Sequence, residues 1–134
     1  MIKVIFVFLL LTASLNAQSA CSIATLKGSY IASGNYMGYV NNQPMSCGVL
    51  SVIVFDGHGA VHISTLETCE GLWTNNGNPS KLPGTYTMDS NCTGIILTNF
   101  GNLAFSFDKT MKNGQIIGGN QATGLSGSGT IMKQ

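Results

Sequence analysis

The stretch from Cys47 to Cys69 constrains the fold more than any other. It reads Cys47-Gly48-Val49-Leu50-Ser51-Val52-Ile53-Val54-Phe55, then Asp56-Gly57-His58-Gly59, then Ala60-Val61-His62-Ile63-Ser64-Thr65. The first run is rich in β-branched residues and too short for a good helix, so it reads as a strand. Asp-Gly-x-Gly supplies residues that tolerate positive φ, as a tight hairpin turn requires. A turn centred between Gly57 and His58 places position 47 opposite 68, one residue from Cys69. A bulge beside the glycine turn takes up that offset. The hairpin therefore predicts its own staple, Cys47–Cys69.

The N-terminal stretch has a different character. Met1-Ile2-Lys3 is a short basic start, Val4 to Leu11 is apolar, and Thr12 to Ala20 is small and polar with alanines. That is the layout of a secretory signal peptide. The apolar run falls well short of the ~20 residues a membrane span needs. Residues 1–19 are assigned to the signal peptide and 20–134 to one disulfide-stapled β domain. Cleavage after Ala17 is an alternative to cleavage after Ser19, and a lipid anchor on Cys21 is a third arrangement.

Beyond the leader, the charged residues are Lys27, Lys81, Lys109, Lys112 and Lys133 against Asp56, Glu67, Glu70, Asp89 and Asp108, and the chain has no arginine. A near-neutral surface without clustered basic groups argues against nucleic acid as a partner. It also lacks the bidentate clamps with which Arg holds phosphates and carboxylates. All four cysteines, Cys21, Cys47, Cys69 and Cys92, follow the leader. An even number in an exported chain reads as a disulfide framework, and no Cys-x-x-Cys spacing suggests zinc or redox chemistry. With Cys47–Cys69 local, Cys21–Cys92 is the remaining bond.

Along the chain, short β-rich runs alternate with turn residues. Ile23 to Leu26 suits a single helical turn. Leu26 to Ser33 reads as a strand, Gly34-Asn35 as a turn, and Tyr36 to Val40 as a second short run. After the hairpin, Gly71 to Ser80 is the longest loop candidate and holds Trp73. Strands follow at Gly84 to Met88, Cys92 to Asn99, Leu103 to Phe107, Gln115 to Thr123 and Leu125 to Lys133. Roughly eight strands without a long amphipathic helix predict an all-β domain. An up-and-down antiparallel barrel is the simplest closure, because it leaves no sheet edge. A two-sheet sandwich is the alternative. Glycines at 118, 119, 124, 127 and 129 suit strongly bent strands in either case.

Three stretches carry a resemblance: Ala24-Thr25-Leu26-Lys27-Gly28-Ser29-Tyr30 after a cysteine, Phe55-Asp56-Gly57-His58-Gly59-Ala60-Val61, and Gly84-Thr85-Tyr86-Thr87 followed by Cys92-Thr93-Gly94. In this order they resemble a family of small secreted bacterial β-proteins of uncharacterised function. The resemblance supports the Cys21–Cys92 pairing, since both cysteines lie in the shared motifs, and makes Cys47 and Cys69 additions. It implies no activity. The family usually has Asp where Asn91 stands here. A bacterial source would also leave the acceptor pattern Asn91-Cys92-Thr93 without glycan.

Candidate chemistry is sparse. His58 and His62, with Asp56, do not converge in a hairpin as metal ligands must, so no metal site and no cofactor is expected. Glu67 and Glu70 flank Cys69, but two acids beside a loop more often stay solvated than act as a glycosidase pair. No nucleophile elbow is present. Trp73, with Asn75 and Asn76, offers an aromatic face beside amide groups and is the ligand-binding candidate; the competing reading makes Trp73 a plug for one barrel end. Tyr30, Tyr36, Tyr39 and Tyr86 line a cavity or pack in the core. These features predict a secreted, non-catalytic binding module with a small apolar or sugar-like ligand at a barrel mouth. A structural or interaction protein of the cell surface or matrix is the alternative. An enzyme of the cyclase or isomerase type, working by cavity shape, is a third reading that rests on fold analogy.

Overall fold

The computed structural model describes residues 21–40, 42–120 and 125–134. The expected signal peptide and its cleavage sites, Asn41 and residues 121–124 lie outside the described residues. The ordered strands are β1 (Lys27–Val40), β2 (Gln43–Asp56), β3 (Ala60–Cys69), a short β4 (Leu72–Trp73), β5 (Ser80–Met88), β6 (Thr93–Thr98), β7 (Gly101–Phe107), β8 (Asn113–Asn120) and β9 (Leu125–Lys133). Leaving β4 aside, each strand pairs antiparallel with its chain neighbour, and β1 pairs with β9. The sheet therefore closes into an eight-stranded up-and-down barrel, with β4 as one extra strand on the end of β3.

Both expected disulfides are present, Cys21–Cys92 and Cys47–Cys69. The register behind the second differs by one from the sequence reading. Phe55 pairs with Val61 and Cys47 pairs directly with Cys69, so the turn is centred on His58 and no bulge is needed. The cause is the Asp56 carboxylate. Its Oδ1 accepts the His58 N–H at 2.7 Å and the Ala60 N–H at 2.9 Å, drawing Gly57, His58 and Gly59 into one turn. Gly57 and Gly59 take φ of +82° and +104°, which a β-carbon would disfavour.

A second difference lies in β1. Gly34-Asn35 is no turn: the strand runs unbroken for 14 residues beside an equally long β2. A β-carbon on Gly34 would stand 2.3 Å from the Ser128 carbonyl oxygen, so this glycine serves close approach to β9. Gly129, across from it, meets the same constraint at 2.1 Å from the Ser33 oxygen.

Inward positions alternate with outward ones along the strands. One end of the barrel is packed solid. Tyr30, Phe55, Tyr86, Phe105 and Phe107 interlock there, with ring centroids 4.9 Å apart for Phe55–Tyr86 and 5.4 Å for Tyr30–Phe55. Leu26, fully buried at the end of the Ser22–Leu26 turn, closes this end from below. The Tyr86 hydroxyl fixes that plug: it donates to the Leu26 carbonyl at 2.8 Å, lies 3.1 Å from the Ile23 carbonyl, and accepts the Gly57 N–H at 3.0 Å. The barrel interior is apolar, unlike the polar interior of membrane-spanning barrels, and β2 and β6 also expose apolar residues on the outer face, Leu50, Val52, Val54, Ile95 and Leu97. Among the described residues, no helix is long and apolar enough to cross a membrane.

Candidate functional site

The other end of the barrel is open. Toward it, Gly34 on β1, Gly118 on β8 and Gly127 and Gly129 on β9 are among the residues that line a cavity of about 240 Å³. Ala32, Ile53, Ile63, Leu103 and Ile116 line it and also belong to, or pack on, the buried core, so they form its floor. Thr98 and Asn120, at the ends of β6 and β8, stand at the rim with the exposed Phe100.

The surface of the cavity is mostly apolar, and a hydroxyl pair lies in its wall. Ser51 and Thr65 face each other across β2 and β3, and their hydroxyls are 2.8 Å apart. Ser51 is 8% exposed. Tyr36, also in the lining, brings its phenol oxygen 3.9 Å from the Cys69 sulfur. Tyr36 is the one ionisable side chain among the described lining residues. The third reading, catalysis by cavity shape, calls for several such groups.

Glu67 sits two residues beyond Thr65, on the same inward side of β3, against the Cys47–Cys69 bridge. Burial raises its carboxyl above the usual range. Cys47, Glu67 and Cys69 bring ligand-type atoms within 4.8 Å of one another, but both sulfurs are consumed in the disulfide and have no thiolate to offer. Glu70, in the following turn, accepts the Ser46 N–H at 2.8 Å and so fixes the turn. His58 is exposed at the packed end, and His62 is exposed on the outer face of β3.

Trp73 is 61% exposed and plugs neither end. It lies on the outer wall, where it lines a shallow groove with Leu50, Leu66, Thr68, Asn35 and Ser33. Asn75 and Asn76 take left-handed backbone in the tight turn after Trp73 and line neither the cavity nor this groove. The three ligand candidates thus share a loop beside the open end without entering the cavity. Of the tyrosines, Tyr30 and Tyr86 are core, Tyr36 faces the cavity and Tyr39 is exposed.

No family model, curated protein or solved structure matches this chain. Its chemistry is therefore read from the cavity itself.

Proposed function

We propose that this chain is a secreted, non-catalytic binding module that holds a small apolar molecule in the open end of its barrel. The observation that carries the reading is the mostly apolar cavity on an aliphatic floor in the open end of the barrel. Voids larger than a water molecule are few in close-packed proteins, and concave apolar sites with a few polar groups are the usual form of small-molecule sites. The two disulfides fit an oxidising compartment. The leader-like N-terminus and the motifs resembling secreted bacterial β-proteins support export.

Thermal denaturation with naphthalene-sized neutral compounds, monosaccharides and fatty acids tests the proposal. A ligand at 100 times its Kd stabilises the native state by about 2.7 kcal/mol, a rise of several degrees in Tm for a domain of this size. Neutral ring compounds are expected to give that rise. Val49→Phe, which sets a ring into the cavity lining, is expected to abolish the rise while the protein stays folded. No shift with any class would overturn the proposal.

A second reading, a surface interaction protein, has its own observation. Leu50, Val52 and Val54 are exposed in a row on the outer face of β2, with Leu66 opposite Leu50 on β3. Such a stripe suits contact with another surface. Val52→Thr with Val54→Thr would then abolish retention of the protein on cell-surface material and leave the ligand shift unchanged.

A further inference from the structure

The geometry points to a specific ligand class for the cavity: a neutral molecule of one or two rings carrying a single hydroxyl or carbonyl oxygen, which the Ser51–Thr65 hydroxyl pair receives. This inference rests on the proposed binding function and deepens it.

Size sets the first limit. A dry apolar cavity of about 150 Å³ holds benzene, so 240 Å³ takes one ring or two fused rings and is too small to enclose a long acyl chain.

Charge sets the second limit. The chain has no arginine. Lys27, Lys112 and Lys133 lie at the packed end, and Lys81 is exposed beside the inward Leu82. Among the described residues, no cation faces the cavity to pair with a carboxylate. The nearest acidic group, Glu67, stands by the open end on the same side of β3 as Thr65. An anion entering there would lose hydration, gain no counter-charge and meet a carboxylate.

The hydroxyl pair sets the third. Two hydroxyls own two hydrogens, and one lies in the 2.8 Å bond between them. The other belongs to whichever hydroxyl accepts that bond, the buried Ser51 or the half-buried Thr65. Each hydroxyl has one partner already and can make a further bond. A ligand hydroxyl or carbonyl oxygen accepts that second hydrogen, and the pair's lone pairs accept a ligand O–H in turn.

Calorimetric titration with naphthalene, 2-naphthol and 2-naphthoate at neutral pH tests the inference. One net hydrogen bond corresponds to about fivefold in affinity. We expect 2-naphthol to bind about fivefold tighter than naphthalene, and 2-naphthoate at least tenfold weaker than 2-naphthol. In Ser51→Ala/Thr65→Val the naphthol advantage disappears while naphthalene binding persists. Thr65→Val alone, nearly isosteric, serves if the double variant does not fold. Naphthoate binding as tightly as naphthol, or an advantage that survives loss of the hydroxyls, would overturn the inference and leave the binding function standing. If none of the three binds, the binding function itself fails.

Discussion

Single polar groups hold the closed end and set the pH response. Tyr86→Phe deletes one oxygen and leaves the Leu26 carbonyl and the Gly57 N–H without their partner at a buried site. Leaving buried groups unsatisfied costs about 1–3 kcal/mol, and urea unfolding of this variant should show a loss of that size. Asp56 and Asp108 are held below the usual carboxylate range, Asp56 first by the His58 N–H and Asp108 first by the Thr110 hydroxyl. A depressed carboxyl stabilises the fold above its ordinary pKa, and that stabilisation is lost as pH falls through the folded value. Glu67 is raised, so its sign is opposite: stability is lost as pH rises from the ordinary glutamate range through the folded value. Glu67→Gln should therefore raise Tm at neutral pH and leave Tm unchanged at pH 3, where the native glutamate is already protonated; equal shifts at both pH values would contradict the assignment. Asn91 repeats the logic of these turns. Its Oδ1 accepts both the N–H and the hydroxyl of Thr93, at 3.1 and 2.7 Å, which an Asp at this position would do equally well. The departure from the resembled motif therefore leaves the turn intact.

Strands were the most legible elements, because alternation marks a half-buried strand directly. Leu125–Lys133 was expected at the bounds it has, and most of the other strands after the hairpin fall within a few residues of expectation. Gly34-Asn35 misled because glycine marks two different things: a residue that must turn, and a residue that must let another backbone come near. Sequence alone does not separate them; the paired strand β9 does. A pair of substitutions separates them by measurement. Gly129→Ala places a methyl 2.1 Å from the Ser33 carbonyl oxygen, so it must push β9 from β1 and should cost more than ~3 kcal/mol, in the range of overpacking and strain. Gly48→Ala meets nothing closer than 3.5 Å and has no positive φ, so its stability should stay within about 1 kcal/mol of the parent. Chemical denaturation of the two variants decides the point, and equal losses would refute the close-approach account. The ligand candidates were less legible than the strands. Trp73, Asn75 and Asn76 stand out in sequence because they are large or polar in a loop. The cavity is lined largely by Ala, Ile, Leu and Gly at inward positions, which read in sequence as ordinary barrel interior.

For the molecule as a whole, the two disulfides tie opposite ends. Cys47–Cys69 spans 22 residues near the open end, and Cys21–Cys92 spans 71 and pins the N-terminal plug at the packed end. Chain entropy makes the longer loop the costlier to release, by about 1 kcal/mol in the loop-closure model. Replacing Cys21 and Cys92 with Ala should therefore lower unfolding free energy more than replacing Cys47 and Cys69, and the reverse order would show that packing at the bridges outweighs loop closure. Closure of the sheet was readable because eight antiparallel runs in succession leave two edges that only each other can satisfy. Which end stays open was not readable, since it depends on the Ser22–Leu26 turn folding under the barrel and being held there by Tyr86. We propose the open end as a ligand site inside the barrel, and methyl-resolved NMR of the labelled protein, titrated with 2-naphthol, tests it. Shift changes are expected at Ala32, Ile53, Ile63, Leu103 and Ile116, which line the cavity floor, with Leu50, Val52 and Val54 on the outer face unmoved. Changes confined to the outer-face methyls, or none at saturating ligand, would contradict it.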